Sequence, residues 1–117
     1  MSGVLDAILK KYMIEGPETV SDGYLSEVIG IDNREAEFGI QVDYVNGISP
    51  NITIYLQTSV DGVTFVDVTD SDQLISDASG TILYDIDGMG PSFIRLRFEG
   101  TGSIDIPQAL YSARRRR

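Results

Sequence analysis

From Tyr24 onward, apolar side chains recur at every second position in short runs, each bounded by turn residues, and no helical period returns. Such alternation marks a half-buried strand, because successive side chains leave opposite faces of the pleat. Ala36, Phe38, Ile40, Val42 and Tyr44 alternate with Glu37, Gly39, Gln41, Asp43 and Val45, and Asn46-Gly47 is expected to close this strand. Ile52, Ile54 and Leu56 then alternate with Thr53, Tyr55 and Gln57. Asp61-Gly62 leads on into Val63–Val68, so residues 51–68 read as a β-hairpin. Ile82, Tyr84 and Ile86 form the next set, ending at Asp87-Gly88-Met89-Gly90-Pro91. Ile94, Leu96 and Phe98 end at Glu99-Gly100-Thr101-Gly102, and Ile104, Ile106 and Leu110 form a last strand that Pro107 ends or confines to an edge. Seven or eight strands without crossover helices predict an all-β, antiparallel two-sheet sandwich of jelly-roll type, with an up-and-down barrel as the alternative closure.

The first residues follow another period. Val4, Leu5, Ile8, Leu9, Tyr12 and Met13 form an i, i+4, i+8 stripe, which predicts a short amphipathic N-terminal helix. Ser2 suits its N-cap, Asp6 its start and Lys10 and Lys11 its end, and Gly16-Pro17 stops it. Three turns alone in water seldom hold, so the stripe is expected to be buried on the body or on a partner. The polar stretch of residues 15–23 makes it a separable arm. The expected organisation is a helical arm and connector over 1–23, a sandwich over 24–110 and a basic tail over 111–117.

Composition removes much chemistry. The 117 residues include no histidine, cysteine or tryptophan. There is therefore no imidazole base, no Ser-His-Asp set, no thiolate nucleophile, no zinc ribbon and no disulfide. No run of eighteen apolar residues occurs and no signal-peptide apolar region opens the chain, so no membrane association is expected. The net charge of −9 is uneven: residues 12–113 carry 17 acidic side chains against Arg34, Arg95 and Arg97, while Arg114, Arg115, Arg116 and Arg117 close the chain. Such a body repels nucleic acid, which needs a basic footprint. The arginine tail is expected to be solvated or to dock on an acidic protein surface.

The remaining catalytic idea is a carboxylate pair across a glycosidic bond, but such a site also needs a cleft and sugar-stacking aromatics, and no enzyme is expected. Asp67, Asp70, Asp72 and Asp77 surround one loop, and Asp85 and Asp87 frame a turn. Their spacing is not that of an EF-hand, so structural calcium is the one cofactor left open and none is expected. Arg95 and Arg97 share the face opposite Ile94, Leu96 and Phe98, where they can form cross-strand ion pairs or an interface contact. The acceptor-like Asn51-Ile52-Thr53 carries no weight without a secretory signal. The expected interaction residues are Val4, Leu5, Ile8, Leu9, Tyr12, Arg95, Arg97, Arg114, Arg115, Arg116 and Arg117.

The run from Ile54 to Phe65, with its Ser59-Val60-Asp61-Gly62-Val63-Thr64-Phe65 hairpin, is followed by Ile82–Gly88 and then by Phe93-Ile94-Arg95-Leu96-Arg97-Phe98. This order resembles small β-sandwich virion proteins of tailed bacteriophages, of the capsid decoration or auxiliary head type, over residues 36–106. The same hairpin wording occurs in discoidin-like and carbohydrate-binding sandwiches. The resemblance implies a structural, non-enzymatic protein located on the virion, acting in many copies or as a homo-oligomer such as a trimer. Its expected partner is a capsid or other virion protein that it stabilises, with a head-fibre base or tail component as variants of that role. It carries no catalytic residues across. The alternative is a carbohydrate-binding sandwich module, with Tyr55 or Tyr44 as its exposed aromatic platform.

Overall fold

A computed structural model describes residues 7–32, 37–88 and 92–115. Seven strands follow in chain order: β1 (Ala7–Val20), β2 (Ile29–Ile31), β3 (Phe38–Ser59), β4 (Val66–Asp67), β5 (Gln73–Ile75), β6 (Gly80–Ile86) and β7 (Ser92–Arg115). All pairings are antiparallel. The frame is one long antiparallel pair made by β3 and β7, hairpin-like in shape although β4–β6 lie between them in the chain, and paired from Phe38 opposite Ala113 to Ser59 opposite Phe93.

This hairpin bends at its middle. Its register slips between Asp43 and Asn51, where Asn46 and Ser49 have positive φ. On the facing strand Gly100 has φ +147° and Gly102 φ +80°. A Cβ at Gly100 would strike the Asn51 carbonyl, and one at Gly102 those of Ser49 and Ile48. Only glycine fits where the two backbones close on each other in such conformations. The bend divides the hairpin into two layers. In one, β1 and β6 flank the far half of β7 and the near half of β3. In the other, β2 flanks β7, while β4 and β5 flank β3.

Alternation then fills the space between the layers. Ile40 and Val42 of the first layer, Ile52, Ile54 and Leu56 of the second, and Ile94, Leu96, Phe98, Ile104, Ile106 and Tyr111 of β7 are all essentially buried in one cluster. Each such side chain gains about 1.5–3 kcal/mol over leaving it in water. Tyr84 of β6 ties the layers together: its hydroxyl donates to the Ser71 carbonyl at 2.8 Å and lies 3.2 Å from that of Ile54.

The expected N-terminal helix is not found among the described residues. Residues 7–20 form β1, paired with β7 from Ala7 opposite Arg115 to Val20 opposite Ile104. Of the stripe that suggests a helix, Leu9 and Met13 turn to the core of a bulged strand while Tyr12 is half exposed. Tyr12 faces Leu110 and Ile14 faces Ala109, so Met13 is the extra residue, and Met13 and Ile14 are both buried. A second slip spans Gly16-Pro17, where Gly16 sits against the Ile106 carbonyl, so this pair bends a strand and does not stop a helix. Val4 and Leu5 lie outside the described residues. Pro107 stands in β7, between β1 and β3 and not at an edge; the register skips it on both sides, which removes the demand for its missing N–H. Asn46-Gly47 likewise lies at the bend inside β3, and the hairpin expected over 51–68 retains only Val66–Asp67 of its second strand.

Candidate functional site

The second layer turns its outer face to solvent with a dense polar and aromatic array. Alternation sends Thr53, Tyr55 and Gln57 of β3 outward, together with Phe93, Arg95, Arg97 and Glu99 of β7, because their neighbours Ile54, Leu56, Ile94, Leu96 and Phe98 point into the core. The register sets Thr53 opposite Glu99, Tyr55 opposite Arg97 and Gln57 opposite Arg95, and β4 sets Asp67 on the other side of Gln57. Phe65 arrives from the loop before β4.

Hydrogen bonds lock these rows together. Gln57 Nε2 donates to Asp67 Oδ1 at 2.9 Å, while Gln57 Oε1 accepts from Arg95 Nε at 2.8 Å. Arg97 Nη2 reaches Asp67 Oδ2 at 3.1 Å, and Arg97 Nη1 reaches Glu99 Oε2 at 2.7 Å. The Gln57 amide, then Arg97, hold the Asp67 carboxyl below the usual carboxylate range. Glu99, then Asp67, raise the Arg97 guanidinium further above its ordinary value. Each arginine also covers a ring: the Arg95 guanidinium lies 4.0 Å from the Phe65 centroid, and that of Arg97 4.2 Å from the Tyr55 centroid.

Beside the array runs an open groove of about 610 Å³, lined by Asp22, Gly23, Leu25, Arg95, Arg97, Phe98 and Glu99. Its wall is the segment before β2, held to β7 by the Gly23 amide on the Phe98 carbonyl at 2.9 Å and the Ser26 amide on the Leu96 carbonyl at 3.0 Å. Asp22 Oδ1 accepts the Gly100 amide at 3.0 Å. The other layer holds a smaller depression of about 300 Å³, lined by Lys10, Gly39, Ile40, Gln41, Leu83, Tyr84, Leu110 and Ser112.

Of the expected interaction residues, the structure brings Arg95 and Arg97 together on this face, and pairs the backbone of Ile8 with that of Arg114 elsewhere. Leu9 packs against the core and Tyr12 is half exposed, on a different layer. Ile8, Arg114 and Arg115 are placed in the β1–β7 pair by their backbone, and Arg116 and Arg117 lie outside the described residues. Tyr44 is buried and offers no platform, whereas Tyr55 belongs to the face. Gln57, Phe65 and Asp67 are not in that set: Gln57 shares one alternation with Tyr55, Phe65 ends the Ser59–Phe65 turn segment and Asp67 belongs to the acidic loop, and no local signal joins the three. Among the described residues no three carboxylates gather where one cation could be held, and Asp67 is committed to Gln57 and Arg97.

No protein-family model and no curated protein matches the sequence. Solved structures do match. A xylan-binding module CBM15 aligns with a TM-score of 0.53 at 12% identity, over 96% of this chain and 99% of that one. A family 35 carbohydrate binding module from Clostridium thermocellum aligns with a TM-score of 0.50 at 10% identity, over 91% and 90%. A chain from the structure of infectious bursal disease virus Gx strain aligns over 98% of this chain and 32% of its own, with a TM-score of 0.44 at 12% identity, too loosely to argue from. At such identities likeness speaks for the fold alone. The chain is an antiparallel β-sandwich that shares the jelly-roll-like fold of carbohydrate-binding modules.

Proposed function

We propose that this protein is a non-catalytic carbohydrate-binding module whose ligand lies across the outer face of β3, β4 and β7. The observation that carries the reading is the pair of guanidinium-covered rings, Arg95 on Phe65 and Arg97 on Tyr55, fixed by Gln57, Asp67 and Glu99. A sugar ring offers hydroxyls at its edge and C–H groups on its faces. Planar guanidinium, amide and carboxylate groups match the hydroxyls two at a time, and ring edges with Leu25 and Phe93 meet the C–H groups. Because the side chains already hold one another, little rotamer freedom is lost on binding. The fold supports the same reading, since the sandwich neighbours with the better alignments are named as carbohydrate-binding modules.

The phage-virion role implied by the sequence resemblance has no observation of its own on this face. Its docking segments were the two chain ends, whose described parts are hydrogen-bonded to each other in β1 and β7. A homo-oligomeric virion component therefore ranks second. Affinity electrophoresis through gels containing xylan, cellulose derivatives, galactan or pectic polysaccharides tests the primary reading. Retardation in at least one gel is expected, with loss of about tenfold or more in affinity for Tyr55→Ala, whose ring supports Arg97. A parent protein that runs unretarded in every gel, or a Tyr55→Ala protein retarded as strongly as the parent, counts against it.

A further inference from the structure

We infer that Arg95 is the recognition point for a carboxylate on the sugar, so that the face selects uronate-containing glycans over neutral ones. This inference rests on the reading of the face as a sugar-binding surface. It starts from an asymmetry between two neighbouring arginines. Arg97 spends its charge on two carboxylates, Asp67 and Glu99. Arg95 meets none among the described residues; its one hydrogen bond runs from Nε to the neutral amide oxygen of Gln57 at 2.8 Å. The carboxylate that could neutralise it, Asp67, stands beyond that amide and is turned to Arg97. Gln57 thus works as a spacer, accepting from Arg95 at one end and donating to Asp67 at the other.

The remaining geometry suits a ligand. Phe65 fixes the plane of the Arg95 guanidinium from one side, and the bond to Gln57 occupies Nε, which leaves the two terminal nitrogens side by side without an acceptor among the described residues. That edge of the fork is the one that grips a carboxylate with two parallel hydrogen bonds. Arg95 also lines the open groove, where a chain of sugars has room. The two carboxylates of that groove are engaged, Glu99 by Arg97 and Asp22 by the Gly100 amide. The two lysines of β1 are built differently: Lys10 is exposed, and Lys11 donates to the Gly30 carbonyl at 3.3 Å. The overall charge of −9 does not oppose the contact strongly, since charges more than about 8 Å away are largely screened at physiological ionic strength while a direct pair is not.

The test compares polygalacturonate, alginate and glucuronoxylan, each beside its carboxyl-reduced form, by affinity electrophoresis and calorimetry at pH 7. Three full-length proteins are used: the parent, Arg95→Met, which keeps an apolar stem on Phe65, and Gln57→Glu, which supplies an internal carboxylate. The parent is expected to bind at least one acidic polysaccharide about tenfold more tightly than its reduced form. Both variants are expected to lose more affinity for the acidic form than for its reduced form, which brings that ratio close to one. If the parent binds acidic and reduced forms equally, or if the ratio survives in Arg95→Met, the inference is overturned and the sugar-binding face stands. If the parent binds none of the six polysaccharides and none of the neutral ones, the reading of the face falls and the inference with it.

Discussion

The carboxylate of Asp61 accepts the backbone amides of Thr64 and Val63 at 2.9 and 2.8 Å and the Ser59 hydroxyl at 2.8 Å, which pulls its pKa down to about 2. It thereby closes the loop between β3 and β4, whose Val60 and Val63 are almost fully exposed and give no core to hold it. A group with a depressed folded pKa stabilises the fold above its ordinary value of 3.8, and that contribution is lost as pH falls through about 2. Asp61→Asn is therefore expected to melt below the parent at pH 7, with the gap in Tm closing between pH 4 and pH 2. A gap that stays constant over that range would assign the effect to shape alone. Asp61-Gly62 is legible as a turn because few other residues serve both as acceptor and as left-handed corner. Arg95 and Arg97 are legible as an outward pair because they alternate with Ile94, Leu96 and Phe98. Their partners are not: Asp67 sits among carboxylates that suggest a calcium loop, and nothing local tells that Gln57 will stand between it and Arg95.

At the scale of the element, β1 shows where periodicity misleads. Apolar residues at 8, 9, 12 and 13 satisfy a helical stripe, but in the strand Leu9 and Met13 turn to the core while Tyr12 is half exposed, and the bulge brings Ile14 in beside Met13. Local propensity cannot choose between helix and strand; the choice falls to β7, whose second edge offers amides and carbonyls to β1 along residues 104–115 on either side of Pro107. Pro107 misleads for the same reason, because a register slip on both neighbours makes an interior position behave like an edge. β1 is consequently part of the body. Removing residues 1–15 takes away Met13 and Ile14, about 1.5–3 kcal/mol each from burial alone, and bares an edge of β7. The truncated protein is expected to melt well below the parent and to associate as its concentration rises, by thermal denaturation and light scattering. Unchanged melting and mass would return β1 to the status of a detachable arm.

At the scale of the molecule, the sandwich is a single bent hairpin with shorter strands laid on its edges. The alternation of inward residues carries this far: the all-β class, the antiparallel order and the core positions of β3, of β6 and of β7 as far as Ile106 follow from it, whereas beyond Pro107 the inward phase shifts to Ala109 and Tyr111 and leaves Leu110 out of the buried set. The bend does not, because the glycines and the Asn46-Gly47 pair that make it read equally well as the ends of separate strands. Gly100 is the severest of these corners. Gly100→Ala is expected to cost about 1–3 kcal/mol in urea unfolding from its backbone conformation alone, with the clash against Asn51 added. A loss below that range would mean that the corner relaxes. The pairing of Ala7 with Arg115 has a mechanical meaning as well. The two ends of the described chain leave the body side by side, along antiparallel neighbours. A force drawn between them does not shear the sheet but peels β1 from β7 one rung at a time, starting at the ends. Each rung bears the load alone, so the molecule yields to weak tension from that end. The β3–β7 face lies on the other half of the hairpin, where the first rungs to open do not reach it.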